Sequence, residues 1–266
     1  MPFFGTLACG AAEAAIEKNY RVLISNAEGS EQAELDAIDS LVQHHCNAIV
    51  FHSQHCSDEV LVTLAEKISG LVFINRFIAE IPHRCIWLDN NLGAQKASSF
   101  LLEKGHTNFA VITRKDSNPD SLLRLEGIHT ALNNANIQLD NSMIEYGATA
   151  DMKGGKEAVS ALFKKDKKFT ALLVYNDNMA IGAVHELNAR GIRVPEDISV
   201  IGFDDMLISV ACIPQLTTMH YPVREMAQFA TKLAIELSTN PEPKGRTHLF
   251  MPHLIERDSV ANFCAK

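Results

Sequence analysis

The stretch "DISVIGFDDM" (197–206) is a run of apolar β-formers that ends on two adjacent carboxylates, Asp204 and Asp205. Neighbouring negative charges repel, so a buried strand that ends this way implies something that uses them. A second apolar run, "FTALLVY" (169–175), also stops at polar residues, Asn176 and Asp177. Asp177 or Asn178 can cap the helix that follows, which leaves Asn176 to face a ligand. Arg124 lies among leucines in "LLRLEG" (122–127), just after a loop of Asp, Ser, Asn and Pro (116–121). On a surface helix it would form an ion pair; in a site it would aim a planar five-donor fork at ligand oxygens. Phe3 and Phe4, in "PFF" (2–4), are either core residues or an apolar platform for the flat face of a sugar or base.

Taken together, Asp204, Asn176, Arg124 and Phe3/Phe4 suit a polyol. Carboxylate and amide pair with vicinal hydroxyls, the guanidinium adds fixed donors, and an aromatic face covers C–H groups. None of this requires a reaction, and no catalytic residue or cofactor is assigned. The chain has no GxSxG, no GxxxxGK[ST] and no GxGxxG after its first strand. Adjacent Asp204 and Asp205 do not make the opposed pair of a glycosidase. His52, His55 and Cys56 could bind zinc, but their spacing matches no standard finger, and no metal site is expected.

These residues need strands to hold them. Apolar runs at 20–25, 47–52, 70–75, 85–89, 108–113, 169–175 and 198–203 predict strands buried on both faces of a parallel sheet. Helices are expected between them. One spans 31–44, capped by Ser30, with Leu35, Ile38, Leu41 and Val42 on one face; another follows Ser57 and stops at Gly70. Further helices are expected at 93–104, ending at Gly105, at 178–190, ending at Gly191, and at 222–238, before the loop "NPEPKG". Alternating strand and helix predicts a doubly wound α/β fold, with enough strands for two sheets. Ligands of such sheets sit outside the carboxyl ends of the strands, where Asn176 and Asp204 fall.

The 266 residues carry 47% hydrophobic and 21% charged side chains, which fits two globular lobes. A net charge of −8, with no basic block, does not attract phosphate backbones. No apolar run is long enough for a membrane span, and "MPFFGTLACGAAEAA" lacks a basic leader region. Cysteines at 9, 46, 56, 85, 212 and 264 have no framework spacing and are expected to be reduced thiols of a cytoplasmic protein.

The segment "YNDNMAIGAVHELNARGIRVPEDISVIGFDDM…IPQLTTMHYPVREMA" resembles the C-terminal effector lobe of LacI/GalR-type transcriptional repressors. "PFFGTLACGAAEAAIEKNYRVLI", "CNAIVFHS", "CIWLDNNLGAQKASSFLLEKGHTNFAVIT" and "RLEGIHTAL" agree; "FINRF", "RCIWLDNN" and "LIERDSV" are most similar to the galactose repressor and isorepressor branch. The resemblance implies two periplasmic-binding-protein-like (type I) lobes, residues 1–104 plus 221–250 and 105–220 plus 251–266. Three crossovers are expected, near 104–106, 219–221 and 250–252. It implies effector contacts at Phe3, Phe4, Arg124, Asn176 and Asp204, adds Tyr221, gives Asp205 a structural or hinge role, and makes Asp89 a weaker candidate.

By the same resemblance the effector is a small sugar, galactose-like, held in the inter-lobe cleft of a homodimer. It would change the spacing of helix-turn-helix heads on operator DNA. Those heads, and a central first strand of the N-terminal lobe, are expected to lie outside this chain. Several relatives carry an aromatic near 149–150 that covers the ligand; here Thr149 and Ala150 stand there. The alternative is a periplasmic sugar-binding protein serving a transporter. Replacing Asp204 or Arg124 by alanine is expected to abolish sugar binding and leave the fold intact.

Overall fold

The computed structural model describes residues 2–27, 29–115, 119–165, 167–240 and 248–263. Cys264 and most of the loop "NPEPKG" lie outside the described residues. In chain order the first half carries α1 (Pro2–Glu17), α2 (Glu31–Gln43), β1 (Ala48–Phe51), α3 (Asp58–Lys67), β2 (Gly70–Ile74), β3 (Cys85–Leu88), α4 (Asn90–Glu103), β4 (Phe109–Arg114) and α5 (Pro119–Asn134). There follow β5 (Ile144–Gly147), α6 (Met152–Leu162), β6 (Ala171–Val174), α7 (Asp177–Ala189), β7 (Ser199–Asp204), α8 (Ile208–Ala211), β8 (Thr217–His220), α9 (Val223–Thr239), β9 (His248–Phe250) and β10 (His253–Ile255).

The chain divides into two compact units, Met1–Leu88 with Pro222–Phe250, and Asp89–Tyr221 with Met251–Lys266. In the first, four parallel strands run in the order β1-β2-β3-β9. Ser30 and Ser57 cap α2 and α3 by accepting from Ala33 N and Val60 N, as their positions predict. Ile38 and Leu61 from these helices pack on Phe51, Leu71 and Phe73. Val42, expected on the same face, is exposed. A side chain at Gly70 would strike Ala234 and Ser238 of α9, so alternate residues of β2 face that helix.

The run 20–25 is not a strand. Backbone groups of an extended segment must be paired by a neighbour, and none of the described strands pairs with it. Val22, Leu23 and Ile24 are exposed instead.

The second unit holds six strands in the order β10-β8-β7-β6-β4-β5, parallel except for β10 against β8. Helices α6 and α7 supply Val159, Leu162, Ile181 and Val184 to a core with Ile112, Leu172 and Val200. Helices α4 and α5 pack along each other. A Cβ at Gly127 would overlap the carbonyl oxygen of Asn91, so glycine permits the close crossing. The passages between units follow Leu88, Tyr221 and Phe250. The first lies before α4 rather than near 104–106, because α4 packs on α5 and belongs with the second unit. From β4 the chain steps outward to β5 and then returns to β6 on the other side, so the strand order reverses at β4 and β6. That reversal opens a crevice at the carboxyl ends of the two strands.

Candidate ligand site

The reversal of strand order places the ends of β4, β6 and β7 in one row. Arg124, on α5, is buried there with every branch of its guanidinium engaged. Its Nε donates to Asn90 Oδ1 (2.8 Å) and its Nη1 to the carbonyl of Tyr175 (2.5 Å); Nη2 lies 3.5 Å from Asp204 Oδ1. The guanidinium also stacks 3.6 Å from the Phe203 ring centroid and 4.8 Å from that of Tyr175. Asn90 passes the network on by donating to Asp120 Oδ1 (3.0 Å).

One carboxylate, Asp204, therefore faces the guanidinium directly, and a second, Asp120, is linked to it through Asn90. Burial pushes the Asp204 carboxyl up to about 7, and the Asp120 charge adds to the shift while Arg124 opposes it. Near neutral pH such a group both accepts and donates to a hydroxyl. Asp204 and Asp205 have φ of 111° and 54°, left-handed values that non-glycine residues adopt at a cost and that gather at functional sites.

Asp205 turns away from this network. Its carboxylate takes Nη2 of Arg257 and pairs with His220 Nδ1 (2.8 Å), tying β7 to β8 and to the segment after β10. Asp177 is fully buried, accepts from Met206 N (2.8 Å) and Thr218 Oγ1 (2.6 Å), and has its pKa raised well above the usual range by burial and then by Asp204. It holds the turn beneath Asp204 in place.

The helix cap at the end of β6 differs from expectation. Neither Asp177 nor Asn178 caps α7; Asn176 does, accepting from Met179 N (2.8 Å). Asp177 was drawn into the core by the two donors waiting there. Asn176 also donates to the carbonyl of Ala150 (3.1 Å), which leaves its amide one further donor and one acceptor lone pair. Asp89 caps α4 by accepting from Leu92 N (2.8 Å). Tyr221 is 4% exposed, its N–H donates to the Asp204 carbonyl, and burial raises its phenol well above the usual range.

Phe3 and Phe4 stand on α1 in the first unit, edge to face with ring centroids 5.4 Å apart, and both lie against His52. Phe4 is exposed. Cys56 of the weighed zinc set is buried, and burial with the neighbouring Glu34 pushes its thiol up to about 12. Among the described residues no three metal-ligating side chains cluster.

Sequence reasoning missed Asn90, Asp120 and Tyr175. The signal that singled out Asn176 and Asp204, polar residues closing an apolar run, is present also in "CIWLDNN" (85–91) and could have found Asn90.

A family model described as a periplasmic binding protein-like domain matches residues 99–260. Over 98% of its length the chain is 37% identical to the HTH-type transcriptional regulator GalR of Salmonella typhimurium, covering 76% of that protein. It is 39% identical over 97% of its length to GalS of the same species, again covering 76%. Among solved structures, a sugar-binding transcriptional regulator of the LacI family from Escherichia coli, complexed with phosphate, superposes with a TM-score of 0.87 at 31% identity. That match spans 98% of this chain and 93% of the other. The E. coli transcriptional repressor ascG gives a TM-score of 0.88 at 31% identity, over 97% and 94%.

Proposed function

Because the chain belongs to the LacI/GalR family of transcriptional regulators and carries the family's periplasmic-binding-like domain, we propose that it senses a small sugar, galactose-like, at the strand-end row of its second unit. Its relatives are regulators, not enzymes and not transporter subunits, and this chain is read as a regulator with them. No described helix is long and apolar enough to cross a membrane.

One observation carries the reading: Arg124 is pre-oriented by Asn90, Tyr175 and Phe203 beside a carboxyl poised at about 7. An ordinary structural ion pair needs neither the left-handed backbone at Asp204 nor the raised pKa. A hydroxylated ligand uses both, because it can donate to and accept from the same carboxyl. Asn176 and Tyr221 supply further polar contacts in this reading.

The bound sugar changes operator affinity only through its differential affinity for the DNA-competent and DNA-released forms of a homodimeric regulator. The test is calorimetric titration of galactose and a panel of other monosaccharides against the wild type and Asp204→Asn. Galactose binding that weakens at least about tenfold in Asp204→Asn supports the site. Unchanged affinity in a folded Asp204→Asn variant refutes it.

A further inference from the structure

Tyr175 sits at the middle of the strand-end row. It follows Val174, the last residue of β6, and β6 lies between β4 and β7 in the sheet. Its N–H donates to the Ile112 carbonyl (2.8 Å), and its own carbonyl accepts from Nη1 of Arg124. Both polar groups of its backbone are therefore engaged, and its ring is held as well. The Arg124 guanidinium lies 4.8 Å from the ring centroid and that of Arg114 5.7 Å.

The hydroxyl of this ring behaves differently. Among the described residues it has no hydrogen-bond partner, whereas no fully buried side-chain oxygen or nitrogen lacks one. The residue is partly exposed, so a molecule from outside can reach it. The charges that act on the phenol are those of Arg124, Asp120, Arg114 and Asp204, which sets it among the groups of the candidate site. Burial pushes it up to about 12, so at neutral pH it carries its proton. A neutral phenol gives one donor and takes one acceptor bond, the same pair that a sugar hydroxyl offers in return.

We propose that the Tyr175 hydroxyl is a direct contact of the sugar, hydrogen-bonded to one of its exocyclic hydroxyls and discriminating against sugars that lack it. The proposal rests on the sugar-sensing reading and adds a specificity-determining residue to its site. A tyrosine kept only as a platform for Arg124 needs its ring and its carbonyl, and phenylalanine supplies both. A tyrosine that reads the ligand needs the oxygen. Once a ligand covers it, a phenol facing a missing hydroxyl has lost water and gained nothing, which is how such a site rejects a deoxy analogue.

Calorimetric titration of the whole chain decides the matter, with galactose and its monodeoxy derivatives, each lacking one exocyclic hydroxyl, against the wild type and Tyr175→Phe. The variant keeps the ring, the carbonyl and the Arg124 stack, so its urea midpoint is expected to match that of the wild type. Galactose is expected to bind the variant about threefold to tenfold more weakly. One monodeoxy derivative is expected to bind both proteins alike, while the others keep the difference. Unchanged galactose affinity in the variant overturns the contact. Loss by one common factor for galactose and every derivative overturns it too, because the oxygen then acts through the protein and not on the ligand. A readout on the wild type needs no variant: the chain has four tyrosines, and saturating galactose that moves none of their carbon-13 Cζ signals in NMR also overturns the contact. Failure of the sugar-sensing reading looks different: no monosaccharide binds the wild type, or Asp204→Asn leaves every affinity unchanged.

Discussion

Replacing Asp204 with asparagine keeps the shape of the side chain and removes its titration. In the folded protein burial and the Asp120 charge hold this carboxyl at about 7, against about 3.9 in an unfolded chain. The folded value lies above the unfolded one, so protonation favours the fold. This contribution is complete below about pH 4 and is lost as the pH rises through 7. A displacement of about three pKa units corresponds to on the order of 4 kcal/mol across that window, or about 1.4 kcal/mol per pH unit. The stability of the wild type minus that of Asp204→Asn is therefore expected to fall steadily between about pH 4 and pH 7 and to flatten above. Asp177, whose raised pKa owes part of its shift to Asp204, loses that neighbour's charge in the variant, which weakens the residual slope there. Urea unfolding followed by circular dichroism at constant ionic strength, from pH 4.5 to 8.5, measures the difference. Parallel curves for the two proteins, or a difference that grows with pH, would refute the assignment of a raised, buried carboxyl.

Arg124→Ala is expected to destabilise the fold by about 3–5 kcal/mol, because it strips the counter-charge from Asp204 and a donor from Asn90. The variant is therefore expected to bind no sugar and to fold with a reduced margin, and a shift below about 1 kcal/mol in urea would count against the network. Glu34 accepts from Ser53 Oγ and from the N–H groups of Gln54, His55 and Cys56. Glu34→Ala is expected to cost about 1–3 kcal/mol and to raise the hydrogen-exchange rates of those three amides; unchanged protection would show that another group holds the turn. Gly127→Ala drives a methyl into the Asn91 carbonyl where α4 crosses α5. The expected loss of about 1–3 kcal/mol is read from the thermal midpoint, and a neutral effect would mean that the helices part freely.

The α/β architecture was legible because buried parallel strands announce themselves as unbroken apolar runs, and β2, β4, β6 and β7 all came from such runs. Strands β5, β9 and β10, with half-buried patterns in "IEYG", "HLF" and "HLI", carry no such signal. Strand β8, "TTMH", buries only one apolar side chain, Met219, beside two threonines that bond to Asp177 and to the backbone N–H of Arg257. The run 20–25 shows the converse: composition suits a strand, but pairing is a property of neighbours. At the site, Asp204, Arg124 and Asn176 could be selected by position. Of their partners, Asn90 could not be matched to Arg124, since it is brought there by the α4–α5 crossing, a long-range contact that no local pattern encodes; Asp120 stands one turn before Arg124 on α5, a local spacing that the sequence does contain.

The exposed run Val22–Ile24 and the outer side of β1, which pairs on one side only among the described strands, give the first unit an adhesive rim. A parallel edge paired on one side and a run of unburied apolar side chains each invite stacking of one molecule on another. Concentrated samples of this chain should light up a hydrophobic dye and drift toward larger particles with time, and a lysine at Leu23 should quiet both.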